Sequence, residues 1–564
     1  MASKKSLIAL LLILLTGSAF GRGRIEIPTA LQQGDSLKIW VYFTDKGSLR
    51  SGLSPAIPVT VDALERRARR GADIDYDYYD TPVNPDYITA VSELALSTRV
   101  QSRWLNAVSV WITPGALQQI AELPFVDKLT PVAQYKRSPV IEQPPQRLEK
   151  PQGSLQLDYG PSFNQLDMIG VVELHEQGYT GAGVNILMLD TGFKLSHEAF
   201  AHLDVDSTWD FINGDVDVED AADADDDQQS HGTSTLSLIG AYAPDSLIGA
   251  AYNATFLLAK TERRSSSSEA EIADADDWIA GAEWGEPLGA EVLSSSLGYD
   301  DRAGYSYEEL DGNTAEVTIA ADLAAALGVM VVNSMGNDGR SAAEPTLIAP
   351  ADGDSVIAVG AVDPGGNITS FSSNGPTADG RIKPDVCAEG SGVRIASYLG
   401  GYSSFGSGTS FSCPLTAGAV ALILEVHPDW TYGTIYNRLT STASRANSPD
   451  TVYGFGIIDV AAAIGDEVLP TVSNVTVAPN PFDGSVNLLV PLETVGLITV
   501  RIYTIAAEEV IVLEKQALNA RTIPVTWNGV NADGEPVANG VYLAHVIAPG
   551  IDELVKLVKI SSGD

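Results

Sequence analysis

The chain has 564 residues, length for three or four domains at the usual roughly 100–200 residues each. Hydrophobic residues make up 45% and charged ones 19%, the balance of globular domains rather than a disordered chain, and 52 glycines with 30 prolines imply many turns. Lys and Arg number 34 against 73 Asp and Glu, and the net charge of −39 argues against nucleic acid or an anionic membrane surface as a partner.

The first residues, "MASKKSLIALLLILLTGSAFGRG", run from Lys4 and Lys5 through an apolar stretch, Leu7 to Leu15, to small residues at Gly17 to Ala19. That is the order of a secretory signal, with a core too short to span a bilayer, so residues 1–19 are expected to be removed on export. No later segment approaches the roughly 18 uninterrupted apolar residues of a membrane span, so a soluble mature chain, extracellular or at the cell surface, is expected. "LKIWVYFTDKG" predicts a strand, "TVDALERRARR" a helix and "LNAVSVWITPGALQQIAELPFVDKLTPV" a strand, helix and strand, together a small α+β domain over 25–135. The charged run Glu65 to Arg70 reads as a solvated helix face. Residues 136–154, rich in Pro, Gln and charge, read as an exposed linker where proteolysis is favoured.

Over 155–465 short apolar strands ("VNILMLD", "TFLLAK", "EVLSSSLG", "GVMVVNSMGN", "DSVIAVGAV") alternate with helical segments, among them "AEIADADDWIAGAEWG" and "AEVTIAADLAAALG". This predicts an α/β domain with a parallel sheet covered on both faces, whose ligand sites lie beyond the carboxyl ends of its strands. Residues 474–564 alternate strands and turns, as in "SVNLLVPL", "LITVRIYTI", "RTIPVTWNG" and "ELVKLVKI", and predict a β-sandwich. Cys387 and Cys413 are the only cysteines, so disulfides do not frame the fold; one pair or two buried thiols both fit.

Three polar residues stand where such a sheet exposes chemistry. Asp190 ends "VNILMLD" and by itself reads as a turn cap. His231 opens the small-residue helix of "HGTSTLSLIGA" and by itself reads as a capping or packing histidine. Ser410, in "GTSFSCPLTAGAVALILEVHP", begins a long apolar run. One reading is a helix start; the other is a nucleophile beside amides that favour developing negative charge. The chain order Asp, His, Ser is one of those in which the Ser-His-Asp triad arises on unrelated folds.

In that order, "LDTGF", "HGTST" and "GTSFSCP" resemble the three signature blocks of the subtilisin-like serine proteases, the subtilases, and the resemblance covers roughly 160–465. It implies a serine endopeptidase acting on protein and peptide substrates through Asp190, His231 and Ser410, with no cofactor required for the chemistry. "VVNSMGNDG" matches the family's oxyanion asparagine at Asn337, and "SSSLG" its substrate-binding strand at Ser296, Leu297 and Gly298. Ser334, Met335 and Gly336 are expected to line the other side of the primary pocket, and Met335, larger than the family norm, suggests a modest apolar preference within broad specificity. His197 matches a noncatalytic family histidine, and "SFSSNGP", "KPDVCAEG" and "YGFGIID" match later blocks. Cys413, three residues after Ser410, reads as helix packing.

The acidic loop "NGDVDVEDAADADDDQQS" has two readings: a structural calcium site, with Asp215, Asp217, Asp223 and Asp225 as candidate ligands, or a solvated loop. The domain over 25–135 resembles a subtilase propeptide, which assists folding and fills the cleft until cut. Maturation is then expected within 133–158, by another protease at Lys136-Arg137 or by self-cleavage nearby. The last domain resembles FlgD-type Ig-like modules and type IX secretion sorting domains, implying either contact with secretion machinery or a stabilising or adhesive module. The rival from another class is a catalytically silent binding protein that keeps the fold. A metalloprotease is disfavoured, because the sequence has no HExxH and two cysteines cannot form a thiolate cluster.

Overall fold

The computed structural model describes residues 23–47 (residue 30 aside), 58–71, 76–137, 157–219, 228–265, 270–300, 305–339 and 345–465, and most of 474–560. The expected signal segment and most of the linker lie outside the described residues. Two compact units emerge, one reaching to Ile57 and resuming over Asp75–Val132, the other comprising Pro58–Ile74 and Ala133 onward.

The smaller unit is a five-stranded sheet of β1 (Arg24–Ile25), β2 (Leu37–Phe43), β3 (Ser97–Ser102), β4 (Ala107–Ile112) and β5 (Val126–Pro131), ordered β1-β5-β2-β4-β3. Alternation in "LKIWVYF" turns Ile39 and Val41 inward with Val108, Val110, Ile120 and Leu129. The helix Pro85–Ser92 starts at Asn84, whose side chain accepts from the Asp86 N–H, with proline in the first turn.

The larger unit runs through β6 (Gln134–Arg137), β7 (Asn185–Asp190), β8 (Asp204–Asp210), a ribbon of β9 (Tyr242–Ala243) and β10 (Leu247–Ile248), then β11 (Thr255–Lys260), β12 (Glu262–Ser265), β13 (Ala270–Asp274) and β14 (Val292–Ser295). There follow β15 (Met330–Ser334), β16 (Val356–Val362), β17 (Val386–Glu389) and a hairpin of β18 (Ser391–Ala396) and β19 (Tyr402–Ser407). Seven strands form one parallel sheet, ordered β17-β16-β15-β14-β7-β11-β8, as the alternation of apolar strands and helices predicts. Every residue of β14, β15, β16 and β17 is buried, which is why these strands read as continuous rather than alternating apolar runs. The helix Thr409–Val426 is apolar and long enough to cross a membrane, yet 89% of that stretch is buried: it is a core helix, packed with Leu236, Ile357 and Val386 in one cluster.

Two expectations change. "AEIADADDW" reads as helix, but the helix starts only at Ala275, and Ala270–Asp274 is the middle strand of a small antiparallel sheet, β12-β13-β6. Cross-strand pairing from Arg137↔Glu271 to Gln134↔Asp274 overrides a helical preference worth only tenths of a kcal/mol per residue. The second change concerns Glu65–Arg70, which is not a solvated face: Arg66, Arg67 and Arg70 are buried. Glu286 receives both Arg66 and Arg67, the latter through Nε at 2.9 Å and Nη2 at 2.7 Å, and Glu291 receives Arg69 at 2.6 Å. The carboxylates lie more than 200 positions along the chain, so no local pattern announces them. Burial lowers the Arg66 pKa and Glu286 opposes that shift; a guanidinium keeps its charge at any ordinary pH.

The C-terminal strands β20 (Thr476–Ala478), β21 (Val486–Pro491), β22 (Gly496–Thr504), β23 (Glu509–Ala517), β24 (Thr522–Trp527), β25 (Gly540–Ala548) and β26 (Ile551–Lys559) form two antiparallel sheets, β20-β21-β24 and β23-β22-β25-β26. Their shared core holds Phe482, Trp527 and Tyr542, with the Trp527 Nε1–H donating to the Val530 carbonyl at 2.8 Å. The strands β20 and β23 were not singled out by the sequence pattern.

Candidate active site

Strand register brings the polar ends of the parallel sheet together. Asp190 is level with Lys260 across β7 and β11, Ser295 with Leu189, and Asn333 with Ser295. This carboxyl edge is where an open parallel sheet leaves room for a ligand.

His231 is the second residue of the helix Ser230–Gly240. Gly232 follows because a Cβ there would lie 2.2 Å from the Gly192 carbonyl, so only glycine lets the helix come so close to the turn after Asp190. His231 Nδ1 and Asp190 Oδ1 are 2.7 Å apart, and Asp190 also accepts from the Thr191 N–H at 2.7 Å and the Thr235 hydroxyl at 2.9 Å. Burial would raise the Asp190 pKa, but His231 and these donors outweigh it and hold the carboxyl below its usual range. Asp190 is 1% exposed and the His231 side chain 9%, so the imidazole alone reaches the surface.

Ser410 is the second residue of the helix Thr409–Val426, whose N-cap is Gly408 at φ 144°, a left-handed conformation suited to glycine. Pro414 stands inside that helix and has no N–H for the Ser410 carbonyl four residues back. The Ser296 hydroxyl donates to that carbonyl at 2.9 Å instead, tying the helix start to the end of β14. The next residue, Phe411, has its ring 6.1 Å from that of His231, so the two helix starts converge.

Asn337 follows β15. Its Oδ1 accepts from the Thr409 N–H at 2.8 Å and the Thr409 hydroxyl at 3.0 Å, which turns Nδ2, a donor, away from those contacts. Asn337 lines one pocket with Ser296, Leu297, Gly298, Ser334 and Gly336, and also with Glu262 and Ile348. Met335 is a correction: it is not among the lining residues but fully buried, because side chains alternate along the extended chain and that of Ser334 takes the pocket side.

Glu262 escaped sequence reasoning, as did a cluster beside it. Carboxylate and imidazole atoms of Asp190, His231 and Glu262 lie within 4.8 Å of one another, as do the carboxylates of Asp274, Asp276 and Asp277. The signal was present in "KTERR" and "ADADDW", but only tertiary structure buries these acids at the cleft.

The remaining candidates lie apart from this constellation. His197 caps a short turn, its Nδ1 accepting from the Ala199 N–H at 3.1 Å. Cys387 and Cys413 are free, buried thiols; burial pushes Cys413 up to about 12, and it donates to the Ser295 and Val332 carbonyls at 3.3 and 3.4 Å. That environment suits packing, not nucleophilic attack. Asp215 and Asp217 are exposed and accept backbone N–H groups of their own loop, while Asp223 and Asp225 lie outside the described residues.

A doubly covered parallel sheet with the Asp190–His231 pair and the Ser410 helix start at its carboxyl edge fits a hydrolase of the serine type. Residues 181–456 match the Subtilase family, and residues 38–147 match the Peptidase S8 propeptide domain, Bacteroidota. Subtilisin DY of Bacillus licheniformis is 34% identical over 299 residues, 53% of this chain and 97% of its own. Subtilisin E of Bacillus subtilis (strain 168) is 32% identical over 300 residues, 53% of this chain and 70% of its own, and the alkaline protease of Alkalihalobacillus alcalophilus 30% over 291, 51% and 66%. The chain belongs to the subtilase family and is a serine protease of the subtilisin type with a propeptide domain.

Proposed function

We propose that this protein is a secreted endopeptidase of broad specificity that cuts through an acyl-enzyme formed on Ser410. The observation that carries the reading is the convergence of Asp190, His231 and the Ser410 helix start beside a pocket walled by Asn337. With Nδ1–H donating to Asp190, the imidazole presents Nε2 as its basic nitrogen. His231 takes the Ser410 proton as Oγ attacks the peptide carbonyl, and Asp190 steadies the imidazolium. The Asn337 amide and the Ser410 N–H then donate to the oxyanion. His231 protonates the leaving amine, and water repeats the steps to free the acyl group. Nothing in this sequence calls for a cofactor.

The N-terminal domain acts in this reading as the protein's own inhibitor and folding aid. The backbone of β6, just after it, lies as an extended strand along β13, the place expected of a peptide entering the cleft. Cleavage follows β6, within the 133–158 window, and the C-terminal sheets serve export sorting or attachment at the surface.

The test is to purify wild type and Ser410→Ala, weigh each chain by mass spectrometry and assay both on denatured casein. Wild type is expected to lose its first 130–160 residues, as the 133–158 window requires, and to cut casein, while the variant does neither. Equal processing of both assigns maturation to another protease. Folded, mature wild type as inert as the variant gives the molecule to the binding-protein reading.

A further inference from the structure

Four carboxylates are buried at one side of the candidate cleft: Glu262 at 1% exposure, Asp274 at 2%, Asp276 at 0% and Asp277 at 1%. Glu262 belongs to the wall of the pocket formed by Ser296, Leu297 and Gly298. Asp274 ends β13, and Asp276 and Asp277 open the helix that follows. An acidic cluster is not in itself a site, but here a second group points into it. Tyr299, directly after the Ser296–Gly298 segment, is fully buried, and its hydroxyl has no hydrogen-bond partner among the described residues. Burial holds its pKa well above the ordinary value, and all four carboxylates add to the shift.

The lining is therefore rich in acceptors and negative charge, which asks for a cation that brings several N–H donors. Asp274 already receives such donors, from the Arg263 guanidinium and from Gln134, the first residue of β6. The edge of β13 away from β12 takes an extended chain in antiparallel register, and the chain it takes reads Gln-Tyr-Lys-Arg. A guanidinium, planar and with five donors, suits several carboxylates and a phenol oxygen better than a compact ammonium does.

We propose that Glu262, Asp276, Asp277 and Tyr299 form a specificity subsite that receives a basic side chain, arginine above lysine, from a substrate residue upstream of the scissile bond. The inference rests on the reading of this cleft as the substrate site of a protease. It adds a charge requirement to a main-chain-driven, broad specificity. Three clustered aspartates are also a donor set for a divalent ion, so the experiment separates the two sources of positive charge.

The experiment uses mature wild type and a set of quenched fluorogenic peptides that differ only at the second, third or fourth residue before the cut, where Arg, Lys, Leu or Glu is placed. Rates are measured in EDTA and again in millimolar calcium. Arg is expected to exceed Leu in kcat/KM by roughly 10- to 100-fold at one or more of these positions, with Lys between and Glu lowest, in either buffer. The Arg-to-Leu ratio is expected to fall by about tenfold in Glu262→Gln and in Asp277→Asn; the wild-type ratio needs no variant to fold. The subsite is overturned if Arg gives no gain at any position, if both variants keep the wild-type ratio, or if the ratio depends on calcium, which would make a metal ion the occupant. If no peptide is cut faster than by Ser410→Ala, the protease reading has failed and the subsite falls with it, an outcome distinct from a cut Leu peptide with no gain from Arg.

Discussion

Two of the clusters of buried charge in the larger unit are built on different terms. At the carboxyl edge of the sheet, Asp190 is held by one imidazole, one backbone N–H and one hydroxyl, and the imidazole is the part that reaches the surface. Around Glu286 and Glu291, four arginines of one nine-residue helix and its cap crowd two carboxylates. The first cluster contains an imidazole, a group with a basic nitrogen to offer; the second consists of guanidiniums, which have none. Burial of charge therefore does not by itself mark a reactive site. A titratable partner with one accessible edge, beside a nucleophile, does.

The comparison is broken most severely at the arginine cluster. In the unprocessed Ser410→Ala protein, Glu286→Gln leaves Arg66 and Arg67 buried without their counter-charge and is expected to destabilise the packing of Pro58–Ile74 by about 3–5 kcal/mol. Thermal unfolding, with proteolysis of the 58–74 segment, reads this loss; a melting temperature within one degree of the parent would show that the cluster is not holding the segment. At the other cluster the effect is on chemistry and not stability. Asn337→Ala is expected to lower kcat by about 10²–10³ with KM little changed, the magnitude known for loss of such a donor in subtilisin itself. Equal kcat in variant and wild type would remove Asn337 from the oxyanion site.

The smallest effect sharpens what burial does to a titratable ring bonded to a phenol and a backbone carbonyl. His175 bonds the Tyr159 hydroxyl at 3.1 Å and the Ala250 carbonyl at 2.9 Å, and burial depresses its pKa to about 4. A histidine that is neutral in the fold but protonates near 6.5 when unfolded contributes stability that is complete above pH 6.5 and is lost as pH falls toward 4. The loss is about 3 kcal/mol over that window. Denaturant unfolding of Ser410→Ala at pH 7 and pH 4.5, with and without His175→Gln, measures it; the same pH slope in both proteins would show that His175 stays neutral in neither state or in both.

Much of this was legible before any coordinates. Continuous apolar strands separated by helices predicted the covered parallel sheet, because strands buried on both faces carry no alternation. "LDTGF", "HGTST" and "GTSFSCP" announced the residues around Asp190, His231 and Ser410, since helix starts and strand ends of this kind have local signatures: a small residue for close approach at Gly232, a permissive one at Gly408. Illegible were features whose cause lies far along the chain. "ERRARR" looks like any solvated helix face until Glu286 and Glu291 arrive beside it. "AEIAD" has helical composition until β12 and β6 claim its backbone. Met335 and Ser334 are adjacent, and strand alternation sends only Ser334 to the pocket.

By itself the sequence determined the class of fold, the order of the chemical groups and the identity of the family, because periodicity, capping and tight-turn glycines are written within a few residues of where they act. Tertiary structure alone decided which charges are buried and together. The partners of Arg66, the position of Glu262 against His231 and the company of Tyr299 depend on segments far apart in the chain, and the field at a side chain is set by neighbours in space, not in sequence.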